Sequence, residues 1–323
     1  MERREFASRS RPGIGREPPR RYDFGSVSSS PAATRVRVTV DPGSPPCPVC
    51  GGADFLKIFR KGGYDFWKCA GCGLERRQPL PSLAELKAWY DDSYARGLYR
   101  EFAAASRVKR ATATRRLGEI RSRCPGDRWL DVGCSTGELV DVLRQRGIDA
   151  RGIELSGIAV AEACRRGLPV VQSTPEDYRA DRAFDVVTCF DLVEHAVDPV
   201  RCLEAVHRLL APGGRIVLTV PNQGSVIRKL MGSRWYFYIP EEHLHYFNRS
   251  TIRRLLARTG FTTERCTRAR KPLSYRYALT QLAAYNPRLH RALEAIARAL
   301  PQPLLDWVVP LDIGEIMVIA RKR

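Results

Sequence analysis

The run Arg128-Trp129-Leu130-Asp131-Val132-Gly133-Cys134-Ser135-Thr136-Gly137-Glu138 constrains this chain more than any other stretch. A short apolar segment ends at an acid, passes through a glycine-rich turn and continues into Glu138 to Arg146, whose apolar residues recur at helical spacing, with Gly147 at the C′ position. That order predicts strand, turn and helix, the opening unit of a doubly wound α/β sheet. Ligands of such sheets bind beyond the carboxyl ends of the strands, where glycines let the backbone come close. Glu154 ends a second apolar segment seventeen residues after Gly137, where an acid can accept hydrogen bonds from both hydroxyls of a ribose.

The dinucleotide fingerprint G-x-G-x-x-G is not spelled out, because the glycines fall at 133 and 137 with Ser135 between them. A nicotinamide cofactor is disfavoured on that ground. The pattern Asp-x-Gly-x-Ser-x-Gly resembles motif I of the class I S-adenosylmethionine-dependent methyltransferases. The resemblance implies a doubly wound, mostly parallel seven-stranded sheet. It also implies that Asp131 lies near the cofactor's amino-acid end, that Gly133, Cys134, Ser135 and Gly137 pass beneath it, and that Glu154 holds the ribose.

Later segments repeat the resemblance in order. Ser156 is a good N-cap for a helix running to about Arg166, closed by Gly167, and Pro169 to Gln172 reads as a third strand. The next loop lies, by resemblance, against adenine, which makes Thr174 and Pro175 expected cofactor contacts. Phe184 to Phe190 is β-rich and forms a fourth strand. Asp191-Leu192-Val193-Glu194-His195 after it resembles the signature of ubiquinone-biosynthesis O-methyltransferases and puts Asp191 at the cofactor's methionine part or the substrate. Glu194 and His195 either meet ligand or cap and pack. Asp198 before Pro199 starts a helix, Ala211-Pro212-Gly213-Gly214 is a turn, and Arg215 to Val220 is a fifth strand.

Ahead of this domain stand Cys47-Pro48-Val49-Cys50 and Cys69-Ala70-Gly71-Cys72, eighteen residues apart. Two such pairs supply four thiolates, Cys47, Cys50, Cys69 and Cys72, to a tetrahedral structural zinc, and Gly51 and Gly73 suit tight knuckle turns. An iron–sulfur site would use similar ligands. A closed four-cysteine zinc ribbon positions a substrate or partner and has no open place for catalysis.

Beyond the fifth strand, residues 223 to 247 form a long segment of the kind that carries substrate recognition. It ends in Glu242-His243-Leu244-His245-Tyr246-Phe247, which resembles the Glu-His-x-x-Tyr-Phe signature of sugar C-methyltransferases, a family that also carries an N-terminal zinc-binding domain. The resemblance makes His243 a candidate base and places Glu242 and Tyr246 in the active site. An extended peptide would send His243 and His245 to one face and Glu242 and Tyr246 to the other. The competing reading is that the two histidines only fix the loop to the sheet. Asn248 caps a further helix, and Phe261 to Ala269 with Glu315 to Ala320 form closing antiparallel strands.

The expected division is a disordered basic tail over 1–45, the ribbon over 46–79, a connector of two helices over 80–123, and the cofactor-binding domain over 124–323, with a helical insertion at about 270–312. The connector's tyrosines, Tyr90 among them, either line a pocket or pack the ribbon against the sheet. The insertion would cover the pocket or form an oligomer surface. The net charge of +19 could attract nucleic acid, an anionic membrane or acidic metabolites, but the arginines are scattered and not interleaved with aromatics in any block, which fits a bland basic surface better than a nucleic-acid groove and is compatible with phosphorylated or nucleotide-linked acceptors. The resemblance implies a small-molecule partner such as a sugar, nucleotide-sugar or secondary metabolite, for a monomer or homodimer. A nucleic-acid methyltransferase and a non-catalytic binding module are the rival readings. No apolar stretch approaches the roughly 18 residues of a membrane span, and the N-terminus lacks an apolar signal core, so a cytoplasmic protein is expected.

Overall fold

The structure, a computed structural model, describes residues 37–39, 44–95, 106–275, 279, 287–298, 300–305 and 308–323. Most of the expected N-terminal tail lies outside them, as do Tyr99, Phe102 and part of the expected insertion.

The cysteine-rich region folds as β1 (Arg37–Thr39), β2 (Asp54–Lys61), β3 (Tyr64–Cys69) and β4 (Glu75–Gln78), paired antiparallel in that order. Two helices follow, α1 (Leu83–Ala95) and α2 (Ser106–Ile120). β5 (Arg128–Val132) then enters the main sheet with all its residues buried, as a central strand covered on both faces must be. Trp129 points to one face, Leu130 and Val132 to the other, and each face has its own apolar layer.

α3 (Glu138–Arg144) leads into β6 (Asp149–Glu154), and α4 (Gly157–Arg165) into β7 (Val170–Gln172). Ser156 caps α4 by accepting from the N–H of Ala159 at 3.4 Å. β8 (Phe184–Phe190) is followed by a single 3-10 turn, Val193–His195, and by α5 (Pro199–Leu209). Asp198 caps α5, accepting from Val200 and Arg201 at 3.0 and 3.1 Å.

β9 (Leu210–Pro221) corrects one expectation: Ala211 to Gly214 do not make a separate turn but form the irregular start of the strand, with a register shift against β8 between Phe184 and Val186. There follow α6 (Val226–Met231), β10 (His245–Tyr246), α7 (Arg249–Arg258), β11 (Phe261–Ser274), α8 (Pro287–Arg298), α9 (Gln302–Leu305) and β12 (Val308–Lys322). Asn248 caps α7 through a capping box with Thr251.

The main sheet has seven strands in the order β11-β12-β9-β8-β5-β6-β7, parallel except that β12 runs against both its neighbours. From β5 the chain winds outward through β6 and β7, then returns to place β8 on the other side of β5. The carboxyl ends of β5 and β8 therefore form the switch point where such sheets bind ligands. The smaller sheet takes its fifth strand from the long segment after β9: β10 pairs antiparallel with β4, His245 opposite Arg76 and Tyr246 opposite Glu75. A parallel bridge between Asn222 and Phe247 ties that segment back to the end of β9. Among the described residues no helix is long and apolar enough to cross a membrane.

Candidate active site

The turn after β5 carries left-handed residues at Gly133, Ser135 and Gly137, with φ of 73°, 51° and 83°. Ser135 holds this unfavourable conformation because its backbone N–H donates to the Glu154 carboxylate at 2.9 Å. The other carboxylate oxygen of Glu154 accepts from the N–H groups of Leu155 and Ser156 at 2.8 and 3.0 Å. One acid thus binds the ends of β5 and β6 into a single cradle. Lys109 reaches the Ser135 hydroxyl at 3.5 Å, and Thr174 stands in the loop that Ser173 fastens to the Glu154 carbonyl at 3.1 Å. The Thr174 hydroxyl itself donates to Asp177, so with Pro175 it shapes the loop's turn. Asp131 is buried below the cradle and accepts from the Thr188 hydroxyl at 2.6 Å. Burial pushes its carboxyl up to about 7, against the lowering pull of Thr188 and Arg116. A cofactor with a ribose and a charged amino-acid end fits these residues. The glycines leave room above the backbone, Glu154 is half-buried at one side of the cradle, and Cys134 is tucked away below against Gly152.

The turn after β8 abuts this cradle. Leu192 lies against Gly133 so closely that a Cβ at 133 would meet its Cδ1 at 2.9 Å. Just before it, Asp191 is left-handed at φ 53° and anchored by Thr219, whose hydroxyl donates to the carboxylate at 2.8 Å. Arg116 and Lys271 reach the same carboxylate at 3.1 and 3.3 Å, and Lys271 also pairs with the buried Glu315 at 2.5 Å. Burial alone would raise the Asp191 carboxyl, but Lys271, Arg116 and Thr219 together hold it well below the usual carboxylate range. Glu194 and His195 follow in the 3-10 turn, with His243 arriving from the far segment. The two imidazole rings meet edge to face, centroids 4.8 Å apart. His243 Nδ1 lies 2.7 Å from the Phe237 carbonyl and donates to it, so its Nε2 carries the lone pair. Burial brings His243 down to about 4 and, with the neighbouring His243 ring disfavouring a second proton, His195 down to about 3, so both rings are neutral at pH 7.

The cysteine pairs also converge. Cys47 and Cys72 sulfurs lie 3.4 Å apart, Cys50 and Cys69 3.5 Å, and all four fall within 4.8 Å of one another. Tetrahedral zinc–thiolate geometry calls for sulfurs about 3.8 Å apart, so the set fits zinc with small adjustment. The knuckles form as their glycines foretold: Gly51 and Gly73 are left-handed, and their N–H groups donate to the Cys47 and Cys69 carbonyls at 2.8 and 2.9 Å. Arg76 is 1 % exposed, donates to the Pro45 carbonyl at 2.7 Å and stacks on Phe55. A buried guanidinium without a carboxylate partner beside four cysteines matches the net negative charge of a zinc tetrathiolate.

One expectation for the far segment needs correction. Tyr246 is not at the pocket: its hydroxyl donates to the His243 carbonyl at 2.9 Å, and its ring is buried among Phe66, Trp235 and Tyr238. The paired strand is limited to His245 and Tyr246, and His243 stands before it in a turn closed by its N–H on the Ile239 carbonyl, with half-buried Glu242 preceding it. Trp235 and Tyr238 clamp the ribbon, Tyr238 donating to the buried Glu75 at 2.6 Å. Reading the sequence alone missed Arg116, Lys271 and Glu315, whose charges are indistinguishable from the other scattered basic and acidic residues. Tyr90 was in view among the connector's tyrosines, and its hydroxyl meets His195 Nδ1 at 2.9 Å, so it faces the site.

Residues 90–265 match the family described as a methyltransferase domain. The chain is 30 % identical over 141 residues to a ubiquinone biosynthesis O-methyltransferase of Pseudomonas aeruginosa, a match covering 40 % of this chain and 60 % of that protein. It is also 30 % identical over 181 residues to the ubiquinone biosynthesis O-methyltransferase of Psychrobacter arcticus, covering 50 % of this chain and 69 % of that one. The chain thus spans about 60 % of the length of the first of these relatives. Among solved structures, magnesium protoporphyrin IX methyltransferase from Synechocystis PCC 6803 with bound SAH superposes with a TM-score of 0.50 at 14 % identity, over 75 % of this chain and 100 % of that one. That likeness concerns the fold.

Proposed function

Because the chain belongs to the methyltransferase-domain family, we propose that it transfers the methyl group of S-adenosylmethionine to a small-molecule acceptor, a sugar, nucleotide-sugar or other secondary metabolite. One observation carries the reading. Leu192 against Gly133 brings the glycine cradle, with Glu154 at its side, next to the turn after β8 that carries His195, against which His243 packs. The relatives named for ubiquinone biosynthesis O-methylation support an acceptor of small-molecule size.

When bound, S-adenosylmethionine supplies a methyl group on a sulfonium, open to in-line attack. The chain's part is alignment and proton handling. Three backbone N–H groups occupy three of the roughly four lone-pair sites of Glu154, which leaves one on Oε2 for a ribose hydroxyl. Asp131 and the ionised Asp191 would hold the ammonium of the cofactor's amino-acid end, and Arg116 and Lys271 fix Asp191 in place. His243 assists the departure of the acceptor's proton through the free lone pair on Nε2, which is present at neutral pH because burial keeps the ring uncharged. Glu242, on the turn before it, is assigned a supporting place at the acceptor. Cys47, Cys50, Cys69 and Cys72 would hold a structural zinc that keeps the ribbon folded.

Calorimetric titration of the zinc-loaded chain with S-adenosylmethionine tests the reading, followed by a turnover screen that begins with nucleotide-sugars. Lack of S-adenosylmethionine binding would overturn it in favour of a non-catalytic module.

A further inference from the structure

Arginines that lie far apart in the sequence are brought together by the fold. α2 packs beside β11, the edge strand of the main sheet, and the two leave between them a cavity of about 420 Å³. Arg115 and Arg123 enter it from α2 and the turn after it, and Arg265, Arg268 and Arg270 enter it from β11. Met317 and Ile319 of β12, both buried, form its apolar floor. Two acids, Glu119 and Asp312, line the same space.

Those acids do not neutralise the group. Glu119 takes Arg115 at 3.0 Å, and Asp312 takes Arg268 at 3.4 Å. Both pairs face solvent and hold weakly, so either arginine can turn to a stronger anion. Arg265 and Arg270 are exposed and meet no acid among the described residues. Glu264, next to Arg265, is engaged by Arg215 and Arg321.

Charges on an edge strand can serve only to prevent pairing with another sheet. That role accounts for the arginines of β11 but not for Arg115 and Arg123, which stand on the opposite wall of the groove. Gly118 leaves that wall open, since a Cβ there would meet nothing within 4 Å. A guanidinium fork meets a phosphate through two parallel hydrogen bonds, and forks from two walls converge best on a ligand with more than one phosphate. The cavity has the volume of a small-ligand site, and none of its lining residues is an aromatic on which a nucleobase could stack.

We infer that the groove between α2 and β11 is a binding site for a small molecule carrying a diphosphate, gripped through its phosphates by Arg115, Arg265 and Arg270. Arg116 and Lys271, the next residue along each wall, reach the Asp191 carboxylate at 3.1 and 3.3 Å. The groove therefore stands on the same two elements that fix Asp191. The site is independent of the methyl-transfer reading, because no part of it needs the cofactor.

The test is calorimetric titration of the full chain with inorganic pyrophosphate at low and at physiological salt. The expected result is one pyrophosphate per chain, held less tightly as salt rises and weakened at least about tenfold in Arg265→Gln/Arg270→Gln. Arg201→Gln/Arg253→Gln removes the same amount of charge from α5 and α7 and should bind as the natural chain does. No binding at low salt overturns the site. So does an equal loss in the two double variants, which would reveal only the diffuse field of a basic protein. An RNA oligonucleotide that binds through Arg265 and Arg270 where pyrophosphate does not would overturn it in favour of a nucleic-acid groove. Uridine diphosphate and geranyl diphosphate separate the carriers: a preference for the first over pyrophosphate marks a nucleotide-linked ligand, for the second a lipid-linked one, and either supports the site. Unchanged urea midpoints show that the variants are folded. If pyrophosphate binds and S-adenosylmethionine does not, the groove stands and the methyl-transfer reading falls.

Discussion

The backbone N–H of Leu244 donates to the carbonyl of Glu194 at 2.8 Å, and its neighbour His245 pairs across the sheet with Arg76. One short peptide is therefore sewn on one side to the turn after β8 and on the other to the cysteine-held ribbon. Its position, and with it that of His243, depends on both.

If the four cysteines hold the proposed zinc, its removal should accordingly disable chemistry more than cofactor binding. Without metal the knuckles lose the bonds that hold β4, and β10 loses its partner strand. The cradle of Gly133, Ser135 and Glu154 belongs to the main sheet and is untouched. We expect Cys72→Ser to lower turnover at least about tenfold, as loss of loop positioning can. Its affinity for S-adenosylmethionine should stay within about threefold, under 0.7 kcal/mol. Equal losses in both measurements would show that the ribbon supports the whole fold and has no particular hold on the loop.

Glu154→Ala removes the acceptor of three backbone N–H groups as well as the proposed ribose contact. Leaving such donors unpaired costs about 1–3 kcal/mol. The expected result is a lower urea midpoint together with S-adenosylmethionine binding weakened about tenfold or more, equivalent to at least about 1.4 kcal/mol. Glu154→Gln, which keeps one acceptor oxygen, should fall between. Unchanged binding in the alanine variant would remove Glu154 from the cofactor site.

Much of the parallel sheet was legible because each strand carried its own evidence: apolar runs ending at Asp131, Glu154 and Phe190, with caps at Ser156, Asp198 and Asn248. These signals are local, and local geometry confirmed them. The pairing of His245 with Arg76 was not legible, because it joins residues far apart in the chain and β10 is only two residues long. Whether residues 242 to 246 run extended was open in the sequence for a related reason. A two-residue strand leaves Glu242 and His243 in the preceding turn, so alternation does not reach them. Nor could sequence single out Arg116 and Lys271 from the other basic residues, since only the fold brings them to Asp191.

Gly133 and Gly147 offer a comparison of strain with contact. Both are left-handed, at φ 73° and 78°, but a Cβ at 147 would meet nothing within 4 Å, whereas one at 133 would press on Leu192. Alanine in this conformation costs about 1–2 kcal/mol. Gly147→Ala should show that cost alone, with cofactor binding intact. Gly133→Ala should add a displaced Leu192 and lose S-adenosylmethionine affinity. Denaturant unfolding and calorimetry on the two variants check the contrast, and equal binding in both would dissociate the cradle from Leu192.

Asp131 links stability to pH with a definite sign. Burial raises its carboxyl from the ordinary 3.8 to about 7. Between those values the folded chain keeps a proton that the unfolded chain has lost, so its contribution to stability is fully present below pH 3.8 and is lost as pH rises through about 7. Asp131→Asn keeps an oxygen for the Thr188 hydroxyl and removes the titration. Its stability relative to the natural chain should rise across this window, by up to about 4 kcal/mol at about 1.4 kcal/mol for each tenfold change in proton affinity. Parallel stability curves for the two chains from pH 4 to pH 7.5 would show that Asp131 titrates normally. The same group should couple to ligand, because the positive charge of S-adenosylmethionine favours the ionised acid. Cofactor affinity of the natural chain is thus expected to strengthen as pH rises through 7, with the asparagine variant showing a weaker and flatter profile; identical profiles would place Asp131 in the sheet's support and away from the cofactor.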